Sequence, residues 1–587
     1  MKQRLEALRA EMRARGLAAY LVPRADEHLG EYVPPEAERL AWLTGFTGSA
    51  GLAVALADRA AIFVDGRYTV QVADETDGAV WERLHLIEQP APKWLAGVLK
   101  DGDRVGCDPM LFSADQLRKY EEAGVRLDLI ADNLVDVAWQ DRPAPVIRPA
   151  VIQELEYAGL SASEKRQQVG AVLAAAGDDA AVLTDPASIC WLLNIRGTDV
   201  DFTPFVLAFA VVRASGEVAL IVDPAKISNQ VAVWLGEGVS LVPRDGMEAC
   251  LAELSGSKVR VDSASSPAWF ANFLRENGAE VTSGSDPCSL PKACKNETEQ
   301  DGARAAHLID AVALCRFLHW FQTAAGETEI SAAERLRAFR AEGEMFQGES
   351  FATISAAGSH GSIVHYRAQP ESDRGIAPGD VYLLDSGGQY SCGTTDVTRT
   401  LWIGPDVPPA HIKADYTRVL QGHLALGSIK FPEGVCGSHL DALARAPLWR
   451  AGLDYDHGTG HGVGSYLSVH EGPAGISRAA RPVPLQPGMI LSNEPGFYPG
   501  DYGIRIENLV LVRKVEGTMR KFLEFETLTL VPYDRRLIDV AMLSNGEIAL
   551  VDEYHARVLR EVGGRIPGAC KRFLEEACGP LQAANIT

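Results

Sequence analysis

The sequence predicts a multidomain chain of mixed α/β and α+β type, and three observations carry that prediction. Its 587 residues exceed what one hydrophobic core organises and call for about three domains. The N-terminal half contains one pattern twice. In the C-terminal half, five side chains able to ligate metal, Asp385, Asp396, His461, Glu494 and Glu507, stand on or beside β-like runs and glycine-rich turns.

The repeat comes first along the chain. Residues 42–48 (Trp-Leu-Thr-Gly-Phe-Thr-Gly) precede strand-like runs at 51–55 and 61–65. Residues 191–197 (Trp-Leu-Leu-Asn-Ile-Arg-Gly) precede similar runs at 207–212 and 219–223. Two α/β domains of comparable size follow from this. Residues 289–299 read as a linker that enters an amphipathic helix around 306–314. The opening eight residues read as a charged amphipathic helix without the apolar core of a signal peptide.

Composition narrows the class. Hydrophobic residues make up 47% and charged residues 23%, as in ordinary globular proteins. The net charge of −22 (56 basic against 78 acidic residues), with no basic cluster, argues against a nucleic-acid groove. No apolar run approaches membrane-spanning length. Ten cysteines without Cys-x-x-Cys pairs suit a reducing cytosol, and Cys392, although near the ligands, reads as packing.

The candidate ligands each have a local reason to point inward. Asp385 ends the apolar run 381–384 and precedes Ser-Gly-Gly, while Asp396 opens the strand-like run 397–402. A hairpin through the intervening glycines brings both carboxylates to one sheet edge, where an unpaired buried charge would be costly and a shared cation is one remedy. Strand alternation over 503–511 puts Arg505 and Glu507 on one face and Ile504 and Ile506 on the other. His461 lies in a stretch, 458–464, with glycine at every second position, read as a loop that can fold tightly around an ion. Glu494 sits in a turn-like segment after an apolar stretch. Four carboxylates and one imidazole, without thiolate, suit Mn²⁺, Zn²⁺, Co²⁺ or Fe²⁺, and two such ions can share a hydroxide as nucleophile.

Taken singly, each residue has a plainer reading: His365 as a hydrogen-bonded core histidine, Asp385 as a turn former, Arg505 with Glu507 as a surface ion pair. The glycine-rich stretch lacks the Lys-Ser/Thr of a phosphate loop. Joint occurrence in order outweighs these readings. The ordered segments are 361–366 (Gly-Ser-Ile-Val-His-Tyr), 384–388 (Leu-Asp-Ser-Gly-Gly), 395–400 (Thr-Asp-Val-Thr-Arg-Thr), 458–464 (Gly-Thr-Gly-His-Gly-Val-Gly), 469–473 (Val-His-Glu-Gly-Pro), 493–498 (Asn-Glu-Pro-Gly-Phe-Tyr) and 505–508 (Arg-Ile-Glu-Asn). This series resembles the pita-bread metallopeptidases, and within them the long, three-domain aminopeptidases P of the cytosol.

The resemblance implies two creatinase-type α/β domains (residues 1–145 and 146–300), a pita-bread α+β catalytic domain (301–530) and a short C-terminal extension (531–587). It implies two divalent metal ions, Mn²⁺ first and Zn²⁺ or Co²⁺ as alternatives, with Asp385 and the His461–Glu494 flank holding them and Asp396 and Glu507 bridging. Glu494 would also carry the proton from the attacking water to the leaving nitrogen. His365 and His470 would contact the scissile peptide, His457 would line the proline side, and Arg505 would orient a bridging carboxylate. The implied activity is removal of an N-terminal residue ahead of proline, by a cytoplasmic homodimer that acts on peptides and needs neither nucleic acid nor membrane. A prolidase restricted to dipeptides is the alternative within the family, and a ligand-free binding module the alternative outside catalysis.

Overall fold

In the computed structural model, which describes residues 1–479, 482–517 and 519–581, the repeat of the N-terminal half is a repeat of topology. The first six-stranded sheet runs in the spatial order Glu82–His85, Ala60–Val64, Leu52–Leu56, Ala19–Pro23, Val105–Cys107, Leu127–Leu129. The second runs Val239–Val242, Val218–Ile221, Phe209–Arg213, Ala180–Leu183, Lys258–Val261, Glu280–Ser283. Both carry two antiparallel pairings at the centre and parallel pairings toward the edges. The expected strands lie within a residue or two of the observed ones.

The Trp-Leu segments that flagged the repeat are helices with matching ends. Arg39–Thr44 stops at Gly45 and Pro186–Leu193 at Asn194, both in the left-handed conformation that glycine and asparagine tolerate. The central strands are buried on both faces. In Ala60–Val64, Ala60, Ile62 and Val64 belong to one hydrophobic cluster and Ala61 and Phe63 to another, as the period of two requires when helices cover both sides.

The chain divides into two units, one of residues 1–154 with 160–289, the other of 155–159 with 290 onward. The second unit is α+β. Its main sheet is antiparallel, in the order Lys430–Pro432, Phe522–Thr527, Asn508–Val515, Ile490–Asn493, Gly460–Gly462, Glu471–Ile476. A smaller sheet joins Ile354–Ala357, Val381–Ser386 and Val397–Trp402. The helices Ala410–Gly427 and Gly437–Trp449 cover the apolar faces, with Tyr416, Val419, Leu420 and Leu448 packed on Ile504 and Ile506. The C-terminal helices Asn545–Val562 and Gly568–Ala577 close a further cluster on Ala311 and Cys315 of the long helix Glu297–Phe321. Among the described residues no helix is long and apolar enough to cross a membrane, and all ten cysteines are free thiols.

Three expectations need correction. The segment read as a linker contains a helix, Ser289–Ala293, and Asn296 opens the next helix with a capping box to Glu299. That cap starts the long helix at Glu297, well before the apolar periodicity becomes evident. The same segment is not solvated, because Lys292 and Lys295 are buried and both pair with Glu471. The glycine-alternating stretch around His461 is not a loop: Gly460–Gly462 is a strand inside the main sheet. A Cβ at Gly460 would run into the carbonyl oxygen of Ser492, and one at Gly462 into that of Glu471. Glycine is there for close strand approach rather than for a turn. Finally, 503–511 is two strands, Ile504–Arg505 and Asn508–Val515, that pair with different partners.

Candidate metal centre

Strand register assembles the carboxylates. Val381–Ser386 pairs antiparallel with Val397–Trp402, with Asp385 opposite Thr398 and Ser386 opposite Val397, so Asp385 and Asp396 emerge at the same sheet end. The connection is tighter than a plain hairpin. It forms a second ribbon, Gly388–Tyr390 with Gly393–Thr394, on Phe346–Glu349. At Gly387 a Cβ would collide with the Thr395 carbonyl, so only glycine closes this corner.

Asp396, His461 and Glu507 each present a ligand atom, and these atoms lie within 4.8 Å of one another. His461 Nε2 stands 3.5 Å from Asp396 Oδ2 and 3.6 Å from Glu494 Oε1, while its Nδ1–H donates to the Gly462 carbonyl at 3.0 Å. That bond leaves Nε2 as the nitrogen aimed at the carboxylates. Glu494 follows the strand Ile490–Asn493, receives the Ser492 hydroxyl at 3.1 Å, and is anchored by its own N–H on the Thr459 carbonyl at 2.8 Å.

Glu507 and Arg505 share one threonine. The Thr398 hydroxyl donates to Glu507 Oε2 at 2.7 Å and accepts from Arg505 Nε at 3.2 Å. Arg505 also donates to Asp385 Oδ2 at 2.7 Å and to the Tyr498 hydroxyl at 2.7 Å. The guanidinium therefore orients Asp385 directly and reaches the expected bridging residue Glu507 only through Thr398. Arg505 and Glu507 do share a side, as alternation required, but they are buried and form no surface pair.

The electrostatics are those of a site short of positive charge. Burial and the nearby Asp396 push Asp385 up to about 7 despite Arg505, whose charge pulls the other way. Burial and the surrounding carboxylates also raise Glu494, and raise Glu507 well above the usual carboxylate range. For His461 burial favours the neutral ring, yet Asp396 and Glu494 lift it to about 9. Asp385 Oδ1 and Asp396 Oδ1 are buried and accept no hydrogen bond among the described residues. Orphaned carboxylate oxygens beside mutually repelling carboxylates are what divalent cations would satisfy, so this donor set fits the metals it suggested.

Two of the remaining candidates, His470 and His457, stand against this cluster. His470 is exposed, and its ring stands edge-on to His461 with centroids 4.4 Å apart. His457 donates from Nδ1 to the Gly458 carbonyl at 2.8 Å and accepts the Tyr498 hydroxyl at Nε2 at 2.8 Å, and its Nδ1 lies 3.9 Å from Glu494 Oε2. His365 is half-buried just after the short turn helix Gly358–Ser362, beside Tyr366, whose hydroxyl donates to the buried Glu329 at 2.8 Å. Thr398, Ser492 and Tyr498 had no assigned role in the sequence reading. For Thr398 the signal was available, since Asp396, Thr398 and Thr400 alternate onto one strand face. Tyr498 could not be found that way, because it meets His457 across 41 positions of chain.

Comparisons with known proteins agree with this geometry. Residues 301–514 match the sequence profile of metallopeptidase family M24, and 521–581 that of the C-terminal region of peptidase M24. The creatinase/prolidase N-terminal domain is matched twice, over 4–137 and 141–299. Aminopeptidase P2 of Arabidopsis thaliana is 38% identical over 94% of this chain and 84% of its own. Xaa-Pro aminopeptidase 1 of Dictyostelium discoideum is 38% identical over 96% and 93%. The crystal structure of X-prolyl aminopeptidase from Caenorhabditis elegans, described as a cytosolic enzyme with a di-nuclear active site, covers 99% of both chains at 34% identity with a TM-score of 0.92. The chain therefore belongs to the M24 metallopeptidases, in their aminopeptidase P branch, with two creatinase-type domains ahead of a pita-bread domain.

Proposed function

We propose that this chain is a metal-dependent aminopeptidase that cleaves the bond between an N-terminal residue and a following proline. The observation that carries the reading is the cluster of buried Asp385, Asp396 and Glu507 with half-buried His461 and Glu494, in which, among the described residues, two carboxylate oxygens lack partners and Arg505, on Asp385, is the one lysine or arginine bonded to a carboxylate group of the five. We assign these five residues as ligands of two divalent cations, with Mn²⁺ as the first choice. Bound there, the cations would acidify a water and polarise the scissile carbonyl.

The chain's own groups supply the rest. Arg505 and Thr398 hold Asp385 and Glu507 in fixed orientations, so that neither of these two carboxylates swings when substrate arrives. Glu494, steadied by Ser492, takes the proton of the attacking water and delivers it to the proline nitrogen. That nitrogen carries no hydrogen within the peptide, so it must gain one as the bond breaks. His470 and His365 contact the carbonyl and its developing negative charge, and His457, held by Tyr498, lines the proline side. A cytoplasmic homodimer completes the reading; the description of the nematode enzyme as cytosolic supports the first of these properties.

The test is hydrolysis by the Mn²⁺-loaded protein of Arg-Pro-Pro, Ala-Pro and Met-Ala-Ser in parallel. Release of arginine from the first, with little cleavage of the others, is expected. Preference for Ala-Pro would make the protein a prolidase. No cleavage of any, with metal bound, would favour a binding role.

A further inference from the structure

A second buried network lies behind the carboxylates, and nothing in the chemistry above uses it. Asp310, on the helix Glu297–Phe321, and Arg340, on Glu329–Ala341, form a forked ion pair with bonds of 2.7 and 3.2 Å. Both are buried, and such pairs are weak evidence of stabilisation by themselves. What distinguishes this pair is where its other bonds go. Arg340 Nη2 donates to the Ser386 hydroxyl at 3.1 Å, and Ser386 directly follows Asp385. The Thr395 hydroxyl donates to Asp310 Oδ2 at 3.0 Å, and Thr395 directly precedes Asp396. Between them, the Tyr390 hydroxyl donates to Asp310 Oδ1 at 2.9 Å, at the tip of the ribbon that joins the two carboxylates.

We infer that Asp310 and Arg340 are positioning residues of the metal centre: they hold both ends of the Asp385–Asp396 connection in one frame and so set the separation of the two carboxylates. The inference rests on the metal reading of the site. An ion pair alone would need only its two members. Hydroxyl bonds to the neighbours of two separate ligands give it a geometric role, because a backbone shift at Ser386 or Thr395 moves the adjoining carboxylate.

The test removes the link without touching the pair or the ligands. Thr395→Val deletes the hydroxyl at nearly constant volume, and Thr395→Ser keeps it. Mn²⁺ binding by isothermal titration calorimetry is expected to weaken about 10- to 100-fold in the valine variant and to stay within about threefold of the parent in the serine variant. The absorption bands of the Co²⁺-loaded protein are expected to shift in the valine variant alone. Because the Thr395 hydroxyl also accepts the Gly388 N–H at 2.9 Å, Ser386→Ala against Ser386→Thr provides a second pair if the valine protein does not fold. Unchanged Mn²⁺ affinity and an unchanged Co²⁺ spectrum in the valine or alanine variant overturn the inference. A parent protein that binds no Mn²⁺ overturns the metal reading as well.

Discussion

Thr398 carries one hydroxyl, and two side chains depend on it: Glu507 accepts its O–H and Arg505 donates to its oxygen. Replacing it with valine keeps the volume and β-propensity but leaves a buried carboxylate oxygen and a buried guanidinium N–H without that partner. Each loss costs about 1–3 kcal/mol. Thr398→Val should therefore lower the melting temperature and cut kcat about 10- to 100-fold, measured on protein of verified metal content. Asp396→Asn removes an anionic donor rather than its support. It should abolish most activity and at least one equivalent of bound metal by elemental analysis; full activity with full metal would remove Asp396 from the site. His470 stands at the rim, exposed and edge-on to His461. Its alanine variant should lose turnover while metal content stays near that of the parent.

At the scale of elements, the centre is built where strands approach unusually closely. Gly460–Gly462 lies between Ile490–Asn493 and Glu471–Ile476, and the absence of a side chain at 460 lets the Ser492 carbonyl sit against its backbone. That approach brings the Ser492 hydroxyl to within 2.9 Å of the His461 N–H, and the same hydroxyl reaches Glu494. Gly460→Ala should destabilise the fold by about 2–3 kcal/mol, read as a shift in the denaturation midpoint, and should weaken metal binding with it. Equal stability would show that the sheet relaxes at no cost. The alternation of glycines was legible in the sequence, but its purpose was not. Local pattern distinguishes poorly between a residue that lets the chain turn and one that lets two strands touch.

For the second unit as a whole, Arg399 ties distant pieces to the back of the site. Fully buried, it donates to the carbonyls of Glu507 and Val531, to Asn508 Oδ1 and to the Tyr554 hydroxyl. Two histidines nearby stay neutral for this reason. Burial and the Arg399 charge depress both His423 and His555 to about 3. His423 is locked as the neutral form, donating from Nδ1 to the Asn493 carbonyl and accepting the Asn508 amide at Nε2. His555 accepts the Tyr533 N–H. Their folded values lie below the unfolded value of about 6.5. The stability they contribute is therefore present above that pH and is lost as pH falls toward 3. Each should cost about 1.4 kcal/mol per pH unit in that window. Comparing the parent with His555→Gln isolates one of them: the parent's advantage should shrink by about 2 kcal/mol between pH 6.5 and 5. A gap independent of pH would mean that His555 is not held neutral.

The sequence by itself determined the doubled N-terminal domain and the class of chemistry, and it supplied the candidate donor set. Ligand identity is a property of single residues, and the order of motifs and the repeat are properties of the linear chain. Asp385 and Asp396 were also legible as neighbours, because a short hairpin brings close residues together by local geometry alone. Only the tertiary structure decided which carboxylate Arg505 holds, that the supposed linker buries Lys292 and Lys295 on Glu471, and that Asp310 and Arg340 stand behind the ligands. Those partners are separated by roughly thirty to nearly two hundred positions of chain, and no local periodicity encodes such pairings. They are chosen when the sheets and helices close on one core, where each buried polar atom must find whichever partner the packing presents.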